Sequence, residues 1–261
     1  MTPETLPEKF IGYLNTLPSE AVLVLLFLLC GGSLLLMARA FGKVGLFIYA
    51  ALTVIVGNIQ VLTAAEFSFY NQPIALGTVV FSSLFLCSDI LTEHYGPKAA
   101  RKSVHTSFMT LLLLSLFMIL TLGFTPPAAT PEHAHFAANY QHIKAIFVPI
   151  PALLAASLIA YLLSQYNDIW IFQLLRRITR DNHIWLRSLL STSLSSLVDS
   201  VIFSVLAWKV FAPIDIDTHT LIFTYILGTY LLRLALAVAY VPFMYLAHAL
   251  LPHPHKEETT S

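Results

Sequence analysis

Residues 21–41 read AVLVLLFLLCGGSLLLMARAF, with Arg39 as the only charged side chain. A hydrocarbon core about 30 Å thick takes roughly 20 mostly apolar helical residues to cross. This stretch is long and apolar enough to do so, and working outward from it, six further segments repeat the pattern: 44–65, 74–95, 103–124, 144–166, 188–211 and 218–250. The last is longer than a span requires, so it tilts or runs beyond the bilayer. Period-2 alternation is absent, and lipid tolerates no open strand edge, so the fold class is all-α, a polytopic membrane helix bundle. Gly42-Lys43 parts the first two spans, and Asn71-Gln72-Pro73 opens the third. Gly96-Pro97-Lys98 closes the third, because proline cannot continue the hydrogen-bond ladder. The fourth runs out in Thr125-Pro126-Pro127, before a loop at 125–143. Asp168 to Arg180, DIWIFQLLRRITR, is too short to cross and reads as an interfacial extension of the fifth helix.

Composition agrees. The 261 residues are 57% hydrophobic and 11% charged, where a soluble domain carries about 25% charge. That excludes a water-soluble globule, and the apolar content excludes disorder. Net charge is zero, so nothing points to a polyanion-binding surface and nucleic acid is not expected as a partner. Cys30 and Cys87 lie in apolar runs and read as packing residues. The polar segment 1–20 lacks the basic-then-apolar order of a cleaved signal peptide. Ten Lys and Arg fall on one side of the membrane: Arg39, Lys43, Lys98, Arg101, Lys102, Arg176, Arg177, Arg180, Arg187 and Lys256. Only Lys9, Lys144 and Lys209 fall on the other, with Arg233 inside a span. The excess of basic loops predicts an outside N-terminus and a cytoplasmic C-terminus.

Ionisable groups inside spans are the informative exceptions, since each costs about 2.5–3.5 kcal/mol at a helix centre. Asp89 and Glu93 sit four residues apart on one face of the third span. Asp199 and Arg233 lie near the middles of the sixth and seventh spans, at a shared depth that suits an ion pair. Asn58 and Gln60 add amides in the second. Structural readings stand beside the functional one. The Asp199–Arg233 pair would order two helices. Asp89 and Glu93 would meet Lys98 or Arg101 at the interface, and Asn58 and Gln60 would bond across helices. Together these residues come from four spans and supply an acid, a base and amides, which suits a polar solute. Ser188, Thr192 and Ser196 form a small-residue packing row, while Ser195 and Ser196, a turn before Asp199, suit a cavity wall. His133, His135 and His142 belong to the outer loop, and His253 and His255 to the tail. No zinc spacing, nucleophile elbow or Walker loop is present, so no metal, no cofactor and no enzyme is expected.

The stretch LCSDILTEHYGPKAARKSV, Leu86 to Val104, resembles the signature of the queuosine-precursor transporter family, also called the vitamin uptake transporter family. The matching positions are Asp89, Glu93, Tyr95, Gly96, Ala100 and Arg101. GNIQVL around Asn58, AASLIAYLLSQYND at 155–168, SSLVDSVIFSVLAW around Asp199, and LRLALAVAYVPFMY with Arg233 and Pro242 to Tyr245 resemble further family helices in the family's order. The resemblance covers 44–250 and departs at Arg233, where the family also uses Lys; an arginine does not shuttle protons. It implies a six-helix core similar to the substrate-binding subunit of energy-coupling-factor transporters, with 21–41 as an extra N-terminal helix and 251–261 as a cytoplasmic tail.

It also implies import of 7-cyano-7-deazaguanine or its aminomethyl relative through the cell inner membrane, for tRNA queuosine modification. The substrate-binding candidates are Asn58, Gln60, Asp89, Glu93, Ser195, Asp199 and Arg233, with Phe85, Phe203 or Trp208 stacking on the ring. Either Asp199 or Asp89 would read the guanine edge. The partners are a small-molecule deazapurine and the lipid bilayer, and a homo-oligomer is left open. The competing readings are a vitamin-binding subunit that needs a separate ATPase module, and a structural helix bundle that transports nothing.

Overall fold

The computed structural model describes residues 5–127, 130, 133–147, 151–179, 183–211 and 217–251. Arg180, Lys256, His253 and His255, with the tail from 252 onward, lie outside the described residues.

A short helix α1 (Leu6–Asn15) opens the chain within the segment read only as polar. The Glu8 carboxylate accepts from the Thr5 N–H at 2.6 Å, and Thr5 Oγ1 caps the Glu8 N–H, a reciprocal arrangement that satisfies the helix's free donors. The first two spans follow as one run, α2 (Ser19–Gln60), broken at Gly42. There φ is 55° and ψ −134°, a conformation that glycine adopts without a Cβ clash. The Tyr49 hydroxyl ties the two halves and the next helix together, bridging the Cys30 carbonyl at 3.0 Å and the Ser83 hydroxyl at 2.7 Å.

The expected helix to residue 65, and from 74, is not what forms. The helix stops at Gln60, and β1 (Ala64–Phe67) pairs antiparallel with β2 (Tyr70–Ala75), Phe67 opposite Tyr70. Glu66, Ser68 and Asn71 are too polar for hydrocarbon, and outside it water satisfies the free strand edges. The Glu20 carboxylate accepts from the Ser68 N–H at 2.6 Å, and the Tyr70 hydroxyl donates to the Phe223 carbonyl at 3.1 Å. These bonds strap the hairpin over the helix ends.

Helix α3 (Gly77–Tyr95) is the axis of the bundle: all its residues except Phe81 and Tyr95 are buried. It packs on α2, α4 (Pro97–Leu122), α6 (Pro151–Thr179), α7 (Ile184–Val205) and α9 (Thr229–Leu250). Gly96, at φ 80°, makes the sharp joint between α3 and α4, and Ala99 and Ala100 let the two helices close up. After the exposed helix α5 (Ala134–Phe147), α6 corrects the expected fifth span. It starts at Pro151, a residue suited to a first turn, and runs unbroken to Thr179. DIWIFQLLRRITR is therefore no purely interfacial extension. Trp170 and Ile178 face outward, but Asp168, Ile169 and Phe172 are fully buried. Helix α7 continues as a wider π-helical stretch, Leu206–Phe211. The short α8 (Thr218–Thr220) leads through a second π stretch, Leu221–Gly228, into α9.

Among the described residues, Ser19–Gln60, Pro97–Leu122, Ile184–Phe211 and Leu221–Leu250 are each long and apolar enough to cross a membrane. Their outward side chains include Leu29, Leu36, Phe117 and Leu120, while serines, threonines and charges share the interior with an apolar core. The fold is an all-α polytopic membrane bundle.

Two glycines set how closely α2 and α3 approach. A Cβ on Gly77 would stand 2.6 Å from the Gly57 carbonyl oxygen. Gly77→Ala should therefore destabilise the protein by about 1–3 kcal/mol through forced separation of the helices. Thermal melting in detergent checks this, and an unchanged midpoint would contradict the contact.

Candidate substrate-binding site

A cavity of about 490 Å³, its open mouth included, lies between α3, α6, α7 and α9. The apolar walls are aromatic: Phe81 and Phe85 from α3, Tyr161 from α6 and Phe203 from α7. The polar groups sit together. Arg233 on α9 is ion-paired with Asp199 Oδ2 on α7. Ser164 Oγ, on α6, donates to Asp199 Oδ1 at 3.0 Å. Three helices thus converge on one carboxylate, and its charge is cancelled by one guanidinium.

Two donors there have bonding capacity left. Arg233 Nε is buried without a hydrogen-bond partner. Gln165, 2% exposed, lines the cavity and makes no hydrogen bond among the described residues. A site with balanced charge, spare amide and guanidinium donors and aromatic walls suits a flat molecule with a polar edge.

The structure divides the sequence-predicted residues into groups. Asp199 and Arg233 form the expected pair and line the cavity, as do Phe85 and Phe203. Asn58 stands one contact behind: its Oδ1 accepts from the cavity residue Ser157 at 2.9 Å, and its Nδ2 donates to its own helix at the Val54 carbonyl. Gln60, Ser195 and Trp208 are not among the lining residues. Ser195 instead accepts from Asn167 Nδ2 at 3.3 Å.

Asp89 and Glu93 form a second, fully enclosed cluster further along α3. Asp89 accepts from Ser188 at 2.5 Å, Ser191 at 3.3 Å and Thr192 at 3.5 Å, all on α7. Glu93 does not meet Lys98 or Arg101 at the interface. Two guanidinium nitrogens of the buried Arg187 lie 3.2 Å from its carboxylate, and Arg176 lies 3.9 Å away. Arg187 also lies over the Phe172 ring, 5.4 Å from its centre, a favourable cation–π placement. Arg176 and Arg187, counted as loop cations in the orientation argument, are therefore cations of the bundle interior. Without them the bias of basic residues is smaller but keeps its sign.

Sequence reading missed Ser157, Tyr161, Ser164, Gln165 and Asp168, which recur on one face of α6 at helical spacing. The signal was present at three- and four-residue intervals, but the reading ended the span near Gln165 and so split the face.

The sequence profile described as "Putative vitamin uptake transporter" matches residues 75–247. A protein of Bacillus subtilis (strain 168), named "Probable queuosine precursor transporter", is 32% identical over 223 residues, 85% of this chain and 91% of that protein. No solved structure matches at a significant level.

The inner cluster yields a stability test that does not depend on any ligand. Glu93→Gln should destabilise the protein by about 3–5 kcal/mol, because it strips a buried guanidinium of its counter-charge. Adding Arg187→Met to that variant should recover most of the loss. Melting midpoints of the single and double variants decide it; equal midpoints for wild type and Glu93→Gln would contradict the pairing.

Proposed function

The chain belongs to the vitamin uptake transporter family, and from that premise we propose that it imports queuosine precursors across the cell inner membrane. The substrates in this reading are 7-cyano-7-deazaguanine and its aminomethyl relative, and the chain acts as a carrier with no enzymatic step. Its N-terminus lies outside and its C-terminus in the cytoplasm, in keeping with the remaining basic loops. The region 44–250 is the transporting core, and 21–41 is an added helix.

The observation that carries the reading is the Asp199–Arg233–Ser164 constellation inside an aromatic-walled cavity. A deazaguanine edge offers an N–H and an exocyclic amine side by side, which a carboxylate accepts as a pair. Its carbonyl accepts from a guanidinium or amide, here Arg233 or Gln165. The guanine edge replaces part of the ion pair, and Phe85 and Phe203 flank the ring. Asp199 is thus the carboxylate that reads the guanine edge, while Asn58 supports the wall through Ser157. Asp89 and Glu93 hold the helices beneath.

Gln165→Leu removes an amide that no other side chain uses, so folding should be unaffected while precursor affinity falls about tenfold, the scale of one lost hydrogen bond to a polar ligand. Asp199→Asn should abolish uptake of labelled precursor by whole cells. Wild-type uptake by both variants, at normal membrane levels, would overturn the site. Uptake only when a separate ATPase module is supplied would favour the vitamin-binding-subunit reading.

A further inference from the structure

Asp89 on α3 and Asp168 on α6 are completely buried and lie against one another. Their surroundings are unequal. Ser188, Ser191 and Thr192 of α7 all direct hydroxyls at Asp89. Both carboxyl oxygens of Asp168 are buried, and the polar groups beside them are Asp89 and the Ser191 hydroxyl. The neighbouring cations are engaged elsewhere: Arg187 and Arg176 pair with Glu93. Cys87 is the other ionisable group beside Asp89. His94 faces His248 of α9 at 5.6 Å, and His105 of α4 meets the Tyr166 hydroxyl at 2.6 Å.

The three hydroxyls that meet Asp89 stabilise one negative charge on the pair. A second anion against the first would add an uncompensated buried charge. Two carboxyl groups in contact form a hydrogen bond only when one of them bears the proton. We propose that Asp89 and Asp168 form a proton-binding site that couples transport to the proton gradient, with one proton shared between the two carboxyl groups.

This rests on the carrier reading above and extends it to the driving ion. The link to the substrate is short: Asp168 lies one helical turn beyond Ser164 and Gln165, and Ser164 holds Asp199. With the proton in place, α3 and α6 are joined by a hydrogen bond. Without it, two anions repel across the same contact and the helices part. Each cycle takes one proton from the outer side onto a carboxyl oxygen of the pair and returns it to water in the cytoplasm. Only that O–H bond is made and broken.

The test uses the full-length protein in liposomes with radiolabelled 7-cyano-7-deazaguanine. At one proton per substrate, an outside-acid gradient of one pH unit should sustain about tenfold accumulation, collapsed by a protonophore. Asp168→Asn should still exchange labelled for unlabelled substrate across the membrane without a gradient, yet accumulate none. Accumulation that survives the protonophore, follows sodium instead, or persists in Asp168→Asn would overturn the proposal. Infrared spectroscopy of the substrate-free wild type gives a readout independent of transport and of how any variant folds. A protonated-carboxyl band at neutral pH that shifts in heavy water is expected, and its absence would overturn the proton site. Absence of any exchange by the wild type would instead defeat the carrier reading and the coupling with it, while the infrared band still decides whether the pair holds a proton.

Discussion

An acid buried at membrane depth needs a partner, and in this bundle the partners come from other helices. Asp199 on α7 is answered by Arg233 on α9 and Ser164 on α6. Glu93 on α3 is answered by Arg187 on α7 and Arg176 on α6. Asp89 on α3 is answered by three hydroxyls of α7. Within hydrocarbon the alternative to each contact is an unsatisfied charge rather than a hydrated one. The contacts therefore dictate which helices are neighbours and at what depth. Apolar side chains, which would drive such packing in water, gain little by leaving lipid for protein, and here many of them remain on the outside.

The same constraint separates two polar layers along the bundle. The upper layer is open: its charges balance, its amide and guanidinium retain bonding capacity, and aromatic rings line it. The lower layer is closed and has no cavity residue of its own among Asp89, Glu93 and Arg187. Helices α6 and α7 pass through both, so a displacement of either helix is felt in both layers. That shared framework is a physical route by which occupancy of the cavity and the state of the buried carboxyls influence each other.

Much of this was legible in the sequence. The class of fold followed from seven apolar stretches. The break at Gly42 and the joint at Gly96-Pro97 were visible as residues that end helices, and the Asp199–Arg233 contact as two opposite charges at equal depth. What hydropathy conceals is direction. A window average reports that a segment is apolar but not which of its side chains face lipid, so Arg187 looked like a loop cation and Asp168 like the start of a surface helix. Both are buried, because α6 runs past Asp168 to Thr179 and α7 already starts at Ile184. The hairpin after Gln60 was missed for a related reason: its short strands sit between two apolar runs and add little to a periodicity search.

The central claim is that the interior polar groups around Asp199 recognise a deazaguanine. Its most direct test is the melting midpoint of the purified protein titrated with 7-cyano-7-deazaguanine, 7-aminomethyl-7-deazaguanine, guanine and a panel of vitamins. A ligand at a hundred times its Kd adds about 2.7 kcal/mol of stability by mass action. The midpoint should rise with the deazaguanines and stay level with the vitamins. A level midpoint with both deazaguanines, or a rise of the same size with an unrelated vitamin, would contradict the account.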